Sequence, residues 1–357
     1  MKLFLPTTLL FLGISLSAQM PGMMTVQGGS QGTALGANET LAYNGIALGN
    51  RVKMRGYVDF IFGYDDEDGG DQNEQFGTSS DLDFLFDLSP VTAEVHIAMD
   101  ADPDPGDEQA GVEQAFGRYD FQNGFNITFG RQLTSLGYEA DEAPGLYAVS
   151  NAYRLGDGDS DINLAPGQTR RNYKDGVRLN FNNGQFGVIL GLHDGYWVSD
   201  HFDNDDLAID IAASVMIIPG LEARLGYAHE EVDQSSFAGL TTDSDISQFN
   251  AWIAYNPNDL TLAFEYDNFD ILADHEYWSM MLLANYQFTD WFAGTIRYSH
   301  EDYEIGAADH DADTFTFAML FTLTSNFFLN VEYSTTDVDS AAEGDYNEFF
   351  IEGLITY

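Results

Sequence analysis

From residue 50 to the C-terminus, apolar and polar residues alternate with period two in short runs. Leu82, Phe84, Phe86 and Leu88 interleave with Asp81, Asp83 and Asp87; Leu260, Leu262, Phe264 and Tyr266 interleave with Thr261, Ala263 and Glu265. The same rhythm recurs from Trp278 to Phe288, from Phe315 to Leu323 and from Phe349 to Tyr357. Side chains two apart share one face of a strand, so each run predicts a strand with one greasy and one polar or small face. Counting the runs gives about 16 strands, an even number that suits a closed antiparallel barrel. They are expected near 50–64, 79–88, 91–100, 112–121, 125–133, 174–181, 185–193, 206–218, 221–229, 246–255, 259–267, 276–288, 291–301, 313–324, 327–335 and 346–357.

The connections alternate in length. Ser89-Pro90, Gln122 to Gly124, Asn182 to Gly184, Pro219-Gly220, Asn256 to Asn258, Thr289-Asp290 and Ser325-Asn326 read as tight turns. Between them fall longer acidic links, Asp65 to Asp71, Asp102 to Glu108, Asp200 to Asp206, His229 to Asp245 and Asp337 to Asp345. Short turns at one end and long loops at the other are the pattern of an outer-membrane barrel. A soluble sandwich also alternates, but its strands average about 5–6 residues, whereas spanning strands need roughly 9–11. Most runs here reach the longer figure. Tyr64, Tyr227, Tyr266, Tyr298 and Tyr333 close strands on the loop side, and Tyr255, Tyr286, Phe288, Trp291, Phe327 and Tyr357 lie on the turn side. Two such bands fit interfacial girdles.

Composition narrows the function. With 13 Lys+Arg against 58 Asp+Glu, a formal charge of -45, the chain lacks the cations that nucleic-acid binding requires. Its 27 Phe and 19 Tyr are too many for a disordered acidic chain. The absence of Cys removes thiolate catalysis and Cys-based zinc sites. Met1-Lys2, the apolar stretch Leu3 to Ile14 and the small residues ending at Ala18 read as a secretory signal peptide over 1–18. Residues 19–49, rich in Gly, Gln and Met, read as a flexible periplasmic leader, and 50–357 as the barrel. After the signal segment no run is long and apolar enough for a helical span.

Phe349, Ile351, Gly353 and Ile355 leading to a terminal Tyr357 resemble the C-terminal signal by which bacterial outer-membrane proteins are read by the barrel-assembly machinery. A second patch is more particular: Phe129-Gly130-Arg131-Gln132-Leu133-Thr134-Ser135-Leu136-Gly137-Tyr138-Glu139, then Ala143-Pro144 and Gly176-Val177-Arg178. It resembles the OmpL-like β-barrel porin family of Gram-negative bacteria, in which a Gly-Lys-Phe strand end leads into a Thr-Pro-x-Gly-Tyr-Glu loop and a Gly-Val-Arg strand follows. Arg131 and Ser135 depart from the family's Lys and Pro. The resemblance implies passive or weakly selective solute passage and names no solute.

A barrel of about 16 strands is wide enough for an aqueous channel. Thr134 to Tyr173 is the longest link and, by analogy with general porins, is expected to enter the lumen as a constriction; an external flap is the alternative. Its candidate residues are Tyr138, Glu139, Asp141, Glu142, Arg154, Arg170 and Arg171. Cations facing lipid are costly, so Lys53, Arg55, Arg118, Arg178, Arg224 and Arg297 are expected to line the lumen. Asp59, Asp83, Asp87, Glu94, Glu222, Glu265, Glu332 and Glu348 share that face. Facing charges of opposite sign select ions by sign, unless they serve only as structural lumen pairs. The acidic loops favour cations over roughly a Debye length, about 8–10 Å.

No catalytic residue is assigned and no enzyme is expected, since GxSxG, HExxH, Walker A and GxGxxG are all missing. A barrel-embedded hydrolase would need only a Ser, a His and a carboxylate brought together. No cofactor is expected beyond Ca2+ at the acidic loops, where Asp157, Asp159 and Asp161 alternate as in a calcium loop that lacks its later Gly and Glu. Of the seven His, only His96 reads as a lumen residue. The leading expectation is an outer-membrane porin for passive diffusion of ions and small hydrophilic solutes, preferring cations. Its partners are outer-membrane lipid and lipopolysaccharide, small solutes and the assembly machinery, with no nucleic acid, as a homotrimer or a monomer. The alternative is a non-conducting barrel whose acidic loops bind a partner, surface polysaccharide or divalent cations.

Overall fold

A computed structural model describes residues 45–67, 72–100, 110–140, 143–153, 173–197, 208–232, 244–271, 275–305, 308–339 and 344–357. The expected signal peptide, the leader up to residue 44, Asp141, Glu142, Arg154, Arg170, Arg171 and the calcium-loop candidates Asp157, Asp159 and Asp161 lie outside the described residues.

Sixteen long strands form the wall: β2 (Val52–Glu67), β3 (Gln72–Asp87), β4 (Val91–Asp100), β5 (Gly111–Asp120), β6 (Phe125–Leu133), β7 (Tyr173–Asn182), β8 (Phe186–His193), β9 (Ala208–Ile218), β10 (Leu221–Val232), β11 (Ser244–Tyr255), β12 (Leu260–Ile271), β13 (His275–Thr289), β14 (Phe292–Ile305), β15 (Ala308–Thr324), β16 (Phe327–Asp339) and β17 (Tyr346–Thr356). A two-residue strand, β1 (Ile46–Ala47), pairs with Met54 and Lys53 of β2, so the chain just before the wall is attached to it. Each long strand runs antiparallel to the next, and β17 pairs with β2, which closes the barrel and leaves no open edge. At that seam Tyr357 N–H donates to Gly56 O at 3.0 Å and the Tyr357 hydroxyl to Asp81 O at 3.2 Å. A Cβ on Gly56 would stand 2.1 Å from Asp81 O and 2.9 Å from the Tyr357 hydroxyl oxygen, so only glycine admits the terminal ring here.

The expected tight turns all occur, and Gly124, Gly184 and Gly220 take positive φ in them. Three of the five acidic links are shorter than their composition suggested. Strand β2 continues through Glu67 and β3 begins at Gln72, so the 65–71 link shrinks to 68–71. Asp65 pairs in register with Asn73 and Asp66 with Gln72, and the amides of Asn73 and Gln72 donate to those carboxylates, each at 3.2 Å. Backbone ladders need no apolar face once a strand has left the lipid, so alternation ends before the strand does. The 229–245 and 337–345 links shorten for the same reason, to 233–243 and 340–345.

The outer face is apolar. Phe60, Phe129, Leu190, Ile211, Leu225, Ile253, Leu282, Ile296 and Phe317 are all exposed on it. On a soluble barrel such a surface would drive aggregation; around a barrel's waist it is the lipid band. Girdles border it: Tyr286, Phe288, Trp291, Phe292 and Phe321 pack as a chain of rings on the turn side, with neighbouring centroids 5.0 to 6.1 Å apart. Tyr227 and Tyr333 stand exposed toward the loop side. Leu282 lies midway along β13 on this face, so Leu282→Arg is expected to destabilise the barrel by about 2–4 kcal/mol in lipid vesicles. Denaturant titration in vesicles checks this, and no loss of stability would place Leu282 outside the membrane.

Candidate functional site

The phase that carries the charged residues points into the barrel, and β8 and β13 also turn Ile189, Met281 and Leu283 inward. Among described residues, the inward and buried ionisable groups include Asp59, Asp83, Glu94, Glu265 and Glu332 on the acidic side and Arg55, Arg118, Arg178, Arg224 and Arg297 on the basic side. Lys53, Asp87, Glu222 and Glu348 share the inner phase and are partly exposed. All fourteen lumen candidates therefore lie on the inner face. They do not form one ring facing another. Arg55 binds Asp83 at 2.7 Å and approaches Glu94 at 4.0 Å on the same wall, while Arg118 and Arg178 flank Thr128 in register.

The long link explains why several of these side chains are wholly buried. Residues 134–140 and 143–153 fold into the barrel and lie against the inner wall of β9 to β17. At the root, Arg178 Nη2 donates to Leu133 O at 3.0 Å and Arg224 Nη2 to Ser135 O at 2.6 Å. The Ser135 hydroxyl donates to Asp210, whose other oxygen lies 3.0 Å from His193 Nε2. Leu136 packs onto a wall of small residues, Ala208, Ala212 and Ala228. A Cβ on Gly226 would stand 2.2 Å from Leu136 Cδ2, so the missing side chain is what lets the loop approach.

Further along, buried charges hold the loop. The Tyr138 N–H donates to Glu265 Oε1, and the Glu265 carboxylate also accepts from Asn250 Nδ2 at 3.1 Å. Arg297 Nη1 binds Glu139 Oε1 at 2.7 Å and donates to Ser150 O at 2.8 Å; its Nη2 donates to Asn151 O at 2.8 Å. Glu332 accepts the backbone N–H groups of Val149 and Ser150 and the Ser150 hydroxyl. Glu139 folds back to accept the Ala152 N–H at 2.7 Å. Thr295 and Ser299 donate to the carbonyls of Tyr147 and Ala152. Ala148 seats in an apolar patch of Ala293, Ala318, Leu320, Phe328 and Leu354. Arg224, Arg297, Glu265 and Glu332 are 1 % exposed or less, so each faces the loop rather than open lumen.

A second segment folds inward after β8. The Tyr196 and Trp197 N–H groups both donate to Glu230, and Trp197 packs at 6.3 Å on Phe269, which packs at 5.4 Å on Tyr277. The sequence reading did not foresee this segment or the acids Asp81, Asp210, Glu230, Asp267, Glu301 and Glu352, all buried on the inner face. A signal existed for Asp210: within the apolar run 207–218, Ala208, Asp210, Ala212 and Ser214 form a small, polar phase of their own. His193 corrects the reading that only His96 faces inward, since it is 1 % exposed and bonded to Asp210. His193, Asp210 and Ser135 meet, but the Ser135 hydroxyl is directed at the carboxylate and not at the imidazole. That is not the relay of a serine hydrolase, in which imidazole takes the hydroxyl proton.

Counting the fully buried groups gives twelve acidic and six basic side chains among described residues, Glu139 and Lys174 included. The interior carries the same sign as the chain as a whole.

No family model matches the sequence, and no curated protein matches it. Solved structures do match in fold. OmpF of Salmonella typhi, solved in complex with Daunomycin, superposes with a TM-score of 0.68 at 13% identity, covering 87% of this chain and 98% of that one. The outer-membrane channel DcaP of Acinetobacter baumannii gives 0.63 at 13% identity, covering 88% of this chain and 99% of the other. An anion-selective porin from Comamonas acidovorans gives 0.62 at 16% identity, covering 86% and 99%. At these identities the likeness establishes a shared barrel fold.

Proposed function

We propose that the chain is a porin in the outer membrane of a Gram-negative bacterium, through which ions and small hydrophilic solutes diffuse passively, cations in preference to anions. The observation that carries this reading is that residues 134–140 and 143–153 are held inside a sixteen-stranded barrel by buried charged side chains on its inner wall. A loop fixed in that way narrows the passage without sealing it by apolar packing alone, and it places polar groups where a solute must pass. The lipid band, the girdles and the folds of the matching channels support the outer-membrane location. The excess of buried acids over bases and the acidic external links support the preference for cations. In this respect the chain contrasts with the Comamonas acidovorans porin, whose name records selectivity for anions.

The residues that carry the OmpL-like resemblance meet in space. Leu133, Thr134, Ser135, Leu136, Tyr138 and Glu139 form the buried root of the loop, and Arg178 ties Leu133 to β7. This supports assigning the chain to that kind of porin. A liposome-swelling assay tests passage: vesicles carrying the refolded protein are expected to swell in small neutral sugars, at rates that fall with sugar size. Vesicles that contain inserted protein and do not swell would favour a non-conducting barrel with binding loops.

A further inference from the structure

On the wall of β3, β4 and β5, away from the loop's charge pairs, one imidazole and several carboxylates converge inside the barrel. Ligand atoms of Asp81, His96 and Glu113 all lie within 4.8 Å of one another, and Asp81 and His96 are buried. The backbone makes this arrangement on purpose. Between β4 and β5 the register shifts after His96, which pairs with Gln114 while Ile97 pairs with Val112. Glu113 is therefore the extra residue of a β-bulge, and a bulge re-aims a side chain that strict alternation would send to the other face. Here it brings the Glu113 carboxylate to the inner side, beside its neighbour Gln114.

We propose that Asp81, His96 and Glu113 form a binding site for one divalent first-row transition-metal ion, with Glu94 orienting the imidazole. Three observations carry it beyond a cluster of acids. Asp81 is 2 % exposed; its Oδ1 accepts the Leu82 N–H at 2.6 Å, and its Oδ2 has no hydrogen-bond partner. Such a buried oxygen is costly unless a cation or donor meets it. Second, His96 Nε2 lies 3.2 Å from Glu94 Oε2. A metal-binding histidine characteristically donates its second ring N–H to a carboxylate, which fixes the tautomer and leaves the other nitrogen for the metal. That nitrogen, Nδ1, stands 3.0 Å from Asp83 Oδ1 and 3.2 Å from the Gln114 amide Nε2, so an ion bound there displaces the Gln114 contact and has a further carboxylate within reach. Third, the charges do not balance. Apart from the imidazole, Asp81, Asp83, Glu94 and Glu113 face only Arg55 and Arg118 in this cluster, an excess of two negative charges that one dication offsets.

The donor set selects the class of metal. Calcium and magnesium take oxygen ligands, whereas imidazole nitrogen with carboxylates suits zinc, manganese, iron or cobalt. The site stands on geometry alone and does not depend on whether the barrel conducts.

The test uses the full refolded chain, stripped of metal, in detergent with excess Mg2+ and Ca2+ to occupy the acidic links. Titration with Zn2+ is expected to give one site per chain, and Co2+ in its place should give a visible ligand-field spectrum with an imidazole ligand. D81N and E113Q, both close in shape to the native side chains, should each abolish the stoichiometric site or weaken it by at least tenfold. E94Q should weaken it by roughly 10–100-fold through loss of the orienting carboxylate. Heat-dependent migration on gels shows that each variant is folded. Absence of a stoichiometric site in the folded wild type would overturn the proposal and leave His96 as a structural residue held by Asp83, Glu94 and Gln114. Binding that is unchanged in both D81N and E113Q would overturn it as well.

Discussion

Arg297→Ala is expected to release the inward loop and raise single-channel conductance. Arg297 is 1 % exposed and its guanidinium joins four acceptors on the loop: the Glu139 carboxylate, the carbonyls of Ser150 and Asn151, and the Ser150 hydroxyl at 3.0 Å. Removing one partner of a buried ion pair costs about 3–5 kcal/mol, because the other charge is left without compensation. A neutral hydrogen bond is worth about 0.5–1.5 kcal/mol net, so the loss exceeds what Thr295 and Ser299 supply, and Glu332 is left as the charged anchor of the 149–150 stretch. The wall should survive, since each strand keeps both neighbours in a closed ladder; the cost therefore falls on residues 138–140 and 143–153. Protease cleavage within the loop should appear together with the higher conductance. Arg297→Lys should rescue little, as a single ammonium cannot span acceptors spread across a planar fork. Loss of conductance with a protease-resistant loop would show that Arg297 does not hold the loop inward.

Neutralising the partly exposed inner acids, Asp87→Asn with Glu222→Gln and Glu348→Gln, is expected to reduce cation preference several-fold. These three are chosen because they meet water, unlike the loop-holding Glu265 and Glu332. Asp87 and Glu222 lie next to the tight turns at 88–90 and 219–220, and Glu348 lies near the opposite mouth. A unit charge about 8 Å from an ion's path contributes roughly 0.5 kcal/mol in water before screening. Salt near physiological strength reduces this by more than half over that distance. Three such changes still add to a several-fold shift in the cation-to-anion permeability ratio, read from reversal potentials. Conductance should change less than selectivity, because the loop and its anchors are untouched. An unchanged ratio would move the origin of selectivity to the buried charges or the external links.

The wall was legible in the sequence because lipid imposes the strictest pattern in protein chemistry. Leu282 and Phe264 face lipid while Met281 and Glu265 face inward, as period two requires. Strand ends were less legible: beyond the membrane, Asp65 and Asp66 extend β2 through ladder bonds that any residue can make. The inward side of the fourteen candidate charges was also readable, since cost in lipid decides it. What each charge meets was not. Arg297 touches Glu139 and Ser150, about 150 residues away in sequence, and no local spacing encodes such a contact. Glu113 was missed because a bulge breaks the alternation on which the reading relied. Asp81, though named in the alternating run of β3, showed its unpartnered oxygen only in three dimensions.

The central claim is a cation-preferring passage narrowed by the inward loop, and a planar bilayer under a salt gradient tests it most directly. The account predicts stable, discrete open steps from the wild-type protein and a reversal potential of the sign set by cations moving down the gradient. A bilayer that stays sealed with inserted protein, or a reversal potential of the opposite sign, would contradict it.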